Sequence, residues 1–294
     1  MKEKERLDLE GFGSLSDIFE YSLKKFGSLE AYSNMGQVLT FEQTDQLSLQ
    51  FAAYLQVKLG LKIGDKVAIM MPNLLQYPIA LLGILRAGLT VVNVNPLYTG
   101  HELSHQLKDS ESKAIVILSN FAHILQSVLS ETQVEHVMVT DVADMLSFPQ
   151  NKIVNFMVKH VKKIVPKWHI SHAISFLSVI KGPYYSHFVK PDISYETVAF
   201  LQYTGGTTGV SKGAVLTHGN MVSNLMQIKE WIQPIVKDGE EVVITALPLY
   251  HIFSLTVNLL LFNLVGGKLI LITNPRDISV FVKTLQKNSF SMIT

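Results

Sequence analysis

The sequence predicts an α/β protein of layered, helix-covered and mainly parallel β-sheets. Three observations carry this: short β-branched-rich runs recur along the chain, helical patterns separate them, and 48% hydrophobic residues over 294 positions can fill a large core. Strands alternating with helices require crossover connections, which make neighbouring strands parallel and bury both faces of the sheet.

The elements follow in order. Residues 40–59 open on Thr40 and carry Leu47, Phe51, Leu55 and Leu59 at helical spacing, which fits a covering helix. Strands are expected at 66–71, 90–94, 113–118 and 136–140, with helices over 76–87 and 101–109 between the first of them. Residues 197–203 and 214–216 read as two further strands, a helix starts near Asn220, and 289–294 is strand-like. Two apolar stretches, 68–94 and 255–272, are broken by Pro72, Asn73, Gln76, Pro78 and Arg86, and by Asn258, Asn263, Gly266, Gly267 and Lys268. Neither is a clean span of about twenty apolar residues, so both read as buried strands joined to helices.

Charge and cysteine usage narrow the function classes. With 25 basic against 24 acidic side chains, no global field draws the chain to nucleic acid, and no nucleic-acid partner is expected. The absence of cysteine excludes disulfides, thiolate catalysis and cysteine-ligated metal, and suits a reducing compartment. The first ten residues are too charged for a secretory signal, so the expected location is the cytoplasm.

A basic amphipathic insertion is expected near 150–190. Lys159, His160, Lys162, Lys163, Lys167 and His169 interleave there with Ile153, Phe156, Met157, Val161, Ile164 and Trp168. Two readings stay open. One is a helix packed on its own domain with a solvated lysine face; the other spans 153–170 in a membrane interface, Trp168 at headgroup depth, on the cytoplasmic side of the inner membrane. Pro166 ends or kinks such a helix early.

The chemistry concentrates in the run Tyr203, Thr204, Gly205, Gly206, Thr207, Thr208, Gly209, Val210, Ser211, Lys212, Gly213, Ala214. Glycines let backbone N–H groups converge on an anion, while threonine hydroxyls and a lysine add directed donors, so the run reads as a phosphate-binding loop. It is not a Walker A loop, because no hydroxyl residue follows Lys212, and its glycines do not make a dinucleotide fingerprint. Strand patterns on both flanks place it between two strands.

A loop with this order of residues resembles the nucleotide signature of the acyl-adenylate-forming, or AMP-binding, superfamily of acyl-CoA synthetases, adenylation domains and luciferases. The segments 247–253, Leu-Pro-Leu-Tyr-His-Ile-Phe, and 92–98, Val-Asn-Val-Asn-Pro-Leu-Tyr, are similar to further motifs of that superfamily. Together with 202–206 and 271–277, they resemble bacterial long-chain fatty-acid CoA ligases over nearly the whole chain. The resemblance implies that ATP converts a long-chain fatty acid to an acyl-adenylate with loss of pyrophosphate, and that coenzyme A then displaces AMP. It further implies that residues 204–212 wrap the β- and γ-phosphates, with Thr204 near Mg²⁺. His251 is implied to lie beside the acyl carboxylate and the nucleotide, orienting the reactants and stabilising charge. Tyr250 and Phe253 are implied to line the acyl entry. Without the resemblance, a lone histidine in such a run is more often a satisfied core residue, and the two aromatics fit an ordinary core equally well. Chain-length preference and oligomeric state are left open.

The resembled enzymes are longer, with a Thr-Glu adenine motif, a ribose-binding aspartate, a hinge and a mobile C-terminal domain carrying the adenylation lysine. Residues 1–294 are therefore expected to be a partial N-terminal AMP-binding domain without the C-terminal domain, leaving a sheet with an unfinished edge. Alone, such a chain is expected to lack thioesterification. The alternative is a truncated remnant, or a non-enzymatic module that holds nucleotide or lipid.

Overall fold

The computed structural model describes residues 11–204 and 211–294. Its strands are β1 (Glu30–Asn34), β2 (Gln37–Thr40), β3 (Lys66–Met70), β4 (Thr90–Asn93), β5 (Ser112–Leu118), β6 (His136–Thr140), β7 (Ile174–Ser175), β8 (Val198–Thr204), β9 (Lys212–Thr217), β10 (Val242–Thr245), β11 (Lys268–Leu271) and β12 (Met292–Ile293). They form a seven-stranded sheet, β7-β6-β5-β3-β4-β8-β9, and a five-stranded sheet, β12-β10-β11-β1-β2. Among the described residues only the β1–β2 and β8–β9 pairs are antiparallel, as expected for a mainly parallel fold.

Side-chain alternation along each strand creates the layers. Val67 and Ile69 of β3 face one core, whereas Ala68 and Met70 face another, because successive Cβ atoms leave opposite faces of a strand. On the first side lie helices Leu15–Phe26, Phe41–Val57, Gln76–Arg86 and His218–Ile232, sandwiched between the two sheets through Leu15, Phe51, Ile79 and Leu225. On the other side helices Gly100–Asp109 and Ala122–Val128 bring Leu103, Leu107 and Leu125 onto Met70, Val92 and Ile117. Helix Ile278–Lys287 covers the far face of the smaller sheet through Phe281 and Leu285. The result is five alternating layers. Each fully buried Leu, Ile or Phe contributes roughly 1.5–3 kcal/mol of transfer free energy, so the central layer is the main source of stability.

Local chemistry sets the helix starts. Thr40 caps helix Phe41–Val57 by accepting from Gln43 N, and the Gln43 side chain accepts from Thr40 N in return. Thr217 forms the same reciprocal cap with Asn220, which moves the helix start back to His218 from the expected Asn220. Helices Phe41–Val57 and Gln76–Arg86 touch closely because a Cβ at Gly83 would lie 2.7 Å from the Phe51 ring and 2.9 Å from the Ser48 carbonyl.

The insertion departs from the expected helix over 153–170. The helix runs Gln150–Phe156, widens into a π-turn at Met157–Val161, and stops where Lys163 adopts a positive φ of 52°. Pro166, Lys167, Trp168 and His169 lie beyond it. Trp168 is partly buried against the outer-layer core and Ile170 is buried within it, so this end of the insertion packs on the protein's own domain, as the first of the two readings has it. Lys159 pairs with Asp141 at 2.5 Å, so its ammonium lies against the protein.

Among the described residues, no helix is long and apolar enough to cross a membrane. The stretch 68–94 is β3, a helix and β4, nearly all buried. The strand-like run at 289–294 contains β12, a two-residue edge strand parallel to β10.

His218 ties two central helices together. It is fully buried, and its Nδ1 accepts from Leu15 N at 3.1 Å, satisfying a first-turn N–H of helix Leu15–Phe26. The proton then resides on Nε2, which has no partner. Burial lowers the imidazole pKa to about 4, although nearby Asp17 opposes that shift. The unfolded chain takes up this proton near pH 6.5 and the folded chain only near 4, so stability is complete above pH 6.5 and declines as pH falls between those values. The expected loss between pH 7.5 and pH 5 is about 2 kcal/mol in urea unfolding. His218→Gln should flatten that interval; an unchanged pH slope in the variant would assign the loss to other groups.

Candidate nucleotide and acyl site

The two sheets present the carboxyl ends of their parallel strands to one crevice. After β3 the chain enters a central helix, Gln76–Arg86, and after the adjacent β4 it enters an outer helix, Gly100–Asp109. The strand order therefore reverses at β3 and β4, a position that opens a crevice beyond the strand ends. The ends of β10 and β11 face it from the other sheet. The crevice holds a cavity of about 570 Å³, lined in part by Asn73, Pro96, Pro248 and Tyr250.

The phosphate-loop run flanks this crevice on the β8–β9 hairpin. Of its residues, Tyr203, Thr204, Ser211, Lys212, Gly213 and Ala214 are placed, while Gly205, Gly206, Thr207, Thr208, Gly209 and Val210 lie outside the described residues. Antiparallel pairing sets Thr204 opposite Lys212, both exposed. A helix anchors each end of the run. The Tyr203 hydroxyl donates to Asp109 at 2.5 Å, and His105 Nε2 lies 3.0 Å from the Ser211 carbonyl, both from helix Gly100–Asp109. Burial, reinforced by the Asp109 carboxylate, raises the Tyr203 pKa, so the phenol keeps its proton and serves as a donor. A Cβ at Gly213 would approach the Tyr203 ring to 3.0 Å, so glycine there lets the ring lie against β9.

The second expected motif follows β10 and hangs from buried amides. Asn73, 2% exposed, donates to the carbonyls of Thr245 at 3.1 Å and Leu247 at 3.0 Å, and accepts from Leu249 N at 2.8 Å. The Tyr77 hydroxyl lies 2.7 Å from Asn93 Oδ1 and 2.9 Å from the Leu249 carbonyl. Gln202 joins the halves: its Nε2 donates to the Tyr250 carbonyl at 2.9 Å, and its Oε1 accepts from Asn93 at 3.1 Å. Gln202 immediately precedes Tyr203, so one buried side chain couples the strand of the phosphate loop to the Tyr250–His251 segment.

Tyr250 is half-buried on the cavity wall, and burial raises its pKa while Arg276 opposes the shift, so the phenol is neutral near pH 7. His251 and Phe253 are exposed, which removes the packed-core alternative for both; neither lines that cavity. His251 caps the following helix, its Nδ1 accepting from Phe253 N at 3.4 Å.

Among the described residues no group of three His, Asp or Glu side chains could enclose a metal ion. A hard cation at such a loop would be held chiefly by phosphate oxygens, and the Thr204 hydroxyl is the one protein oxygen expected near it. Sequence reasoning missed Asn73, Tyr77, His105 and Asp109, and it quoted Asn93 and Gln202 only within motif segments, with no role of their own. Polar amides inside apolar runs were the available signal, but at Asn73 it served only to argue against a membrane span.

An edge strand pair that brackets a glycine- and threonine-rich run, coupled through Gln202 to a Tyr-His segment beside a crevice between two mainly parallel sheets, fits the adenylate-forming class of enzyme. Residues 19–294 match the family described as AMP-binding enzyme, and the chain belongs to that family. It is 56% identical over 283 residues to a long-chain-fatty-acid–CoA ligase of Escherichia coli O6:H1, covering 96% of this chain and 50% of that protein. The corresponding ligase of Yersinia pestis is 54% identical over 288 residues, 98% of this chain and 51% of the relative. The chain thus spans about half the length of the curated relatives it matches. In fold it is similar to a crystal structure of the anthranilate CoA ligase AuaEII with anthranoyl-AMP, at a TM-score of 0.79 and 19% identity, covering 95% of this chain and 49% of that one.

Proposed function

We propose that residues 1–294 form the partial N-terminal, adenylating domain of a long-chain fatty-acid CoA ligase. The observation that carries this is the Gln202 bridge, which sets the end of the phosphate-loop strand beside the Tyr250–His251 segment. In this reading a fatty carboxylate oxygen attacks the α-phosphorus of ATP, pyrophosphate leaves, and the thiol of coenzyme A then attacks the acyl carbonyl and releases AMP. The first step brings two anions together, so charge neutralisation and in-line placement dominate catalysis. Thr204, Lys212 and the intervening residues bind the β- and γ-phosphates, and Ser211 to Ala214 carry the loop back into the sheet. His251 orients the carboxylate, while Tyr250 and Phe253 flank the acyl entry. Mg²⁺, where bound, would be held by the phosphates with the Thr204 hydroxyl near it, and would supply further neutralisation. ATP–pyrophosphate exchange with palmitate, run on the full-length gene product, tests the reading. Exchange should require palmitate; exchange supported only by short or aromatic acids would overturn the substrate class.

A cytoplasmic location with peripheral contact to the inner-membrane surface is supported by one observation. Ile153, Phe156, Met157, Val161 and Ile164 form an exposed apolar stripe flanked by exposed Lys152, Lys162 and Lys163. Such a face inserts shallowly into an anionic interface. Phe156→Glu with Val161→Glu should lower partition onto anionic vesicles at least tenfold, since each lost side chain removes roughly 1.5–3 kcal/mol of burial. Equal sedimentation of both proteins with the vesicles would refute it.

A further inference from the structure

Helix Gly100–Asp109 is fixed in place beside the phosphate-loop run. Leu103 and Leu107 bury it in the outer core, Thr99 and Glu102 close a reciprocal cap at its start, and Gln106 Nε2 donates to the Asn93 carbonyl at 2.8 Å. Asn93 is also the residue that pairs with Gln202, which reaches the Tyr250 carbonyl. The helix and the Tyr250–His251 segment therefore share one buried point of reference. Strand β8 is held on both sides of the run's first end: it pairs with β4, and the Tyr203 hydroxyl donates to Asp109, with Ser110 also beside that hydroxyl. Strand β9, which carries Lys212 at its first position, is the last strand of its sheet and pairs with β8 alone. Its described register ends at Thr204 opposite Lys212, so the Ser211 carbonyl lies one residue beyond that ladder. His105 meets this carbonyl with Nε2 at 3.0 Å, four residues before Asp109 and so on the same helix face.

We infer that His105 is a positioning residue for the phosphate step: its Nε2–H fixes the Ser211 carbonyl, and through the next peptide unit sets where Lys212 stands relative to the Tyr250–His251 segment. The inference rests on the adenylating reading above. A carbonyl only accepts, so the ring nitrogen facing it carries the hydrogen. Lysine bears its charge on a flexible four-carbon stem, which leaves its backbone as the part that the fold can place. Misplacement of a reacting or neutralising group by about 1 Å can slow a reaction about 10²-fold. What the position requires is an N–H donor at that reach, not a basic ring. Glutamine supplies one through its amide, whereas phenylalanine keeps a ring and leucine keeps apolar bulk without any donor.

Two measurements on the full-length gene product test this role. The first is tryptic cleavage after Lys212, followed by mass spectrometry and referred to cleavage after the exposed Lys181. His105→Phe and His105→Leu should each speed the Lys212 cut at least fivefold relative to the Lys181 cut, while His105→Gln stays within twofold of the wild type. The second is palmitate-dependent ATP–pyrophosphate exchange. Both donor-free variants should lower kcat at least tenfold with the KM for ATP changed less than threefold, and His105→Gln should recover kcat to within threefold of the wild type. A cleavage ratio unchanged in both donor-free variants, a parallel rise at both lysines, an unchanged kcat, or a kcat that glutamine does not recover, overturns the inference. Absence of palmitate-dependent exchange in the wild type would count against the proposed function instead, and the cleavage ratio would still decide whether His105 holds the start of β9.

Discussion

Replacing Asn73 with leucine is expected to lower the unfolding free energy by about 1–3 kcal/mol, because the buried Leu249 N–H loses its acceptor while the Thr245 and Leu247 carbonyls each lose one of two donors. Leucine keeps the branching of asparagine with bulkier methyl groups, so the substitution removes the hydrogen bonds without opening a cavity. Ile272 N still donates to the Thr245 carbonyl and Ser254 Oγ to that of Leu247, so the N–H of Leu249 carries most of the loss. Gln202→Leu leaves the Tyr250 carbonyl and the Asn93 amide each without a partner and should cost a similar amount. Urea unfolding with the m-value held constant measures both. A loss below about 0.5 kcal/mol for Asn73→Leu would mean that the Leu249 N–H finds another partner without penalty.

Lys212→Ala is expected to slow palmitate-dependent pyrophosphate exchange by about 10²–10³-fold in the full-length product, corresponding to about 3–4 kcal/mol of transition-state stabilisation. Lys212 is exposed at the first position of β9, opposite Thr204, so its removal leaves the hairpin register and the core untouched. The effect should appear in kcat as well as KM, because negative charge on the departing pyrophosphate grows in the transition state. Lys212→Arg should retain more activity than alanine, since it keeps the charge. Exchange kinetics unchanged in Lys212→Ala, at unchanged thermal stability, would remove this lysine from the proposed mechanism.

The periodicity of single segments was legible to within a residue or two. β6 matches the expected 136–140, β3 ends one residue before the expected 71, and helix Gln76–Arg86 ends one residue before 87. Most residues of these elements are buried, and burial imposes a regular apolar pattern on the residues themselves. The insertion was less legible. Its apolar–basic interleaving continues through 170, yet the helix stops before Lys163, ahead of the break that Pro166 implies, and Trp168 and Ile170 pack on the outer core instead. The interleaving itself carries no record of where the helix stops.

The glycine, threonine and lysine run at 203–214 and the Tyr250-His251 pair are local strings, so the sequence alone located the candidate chemistry and its class. Parallel, helix-covered sheets likewise followed from the alternation of short apolar strands with helices. Only the tertiary structure decided how the two strings meet. Gln202 and Asn73 each make their decisive contacts 48 and 172–176 positions away, and a hydrogen bond at that separation has no periodicity to betray it.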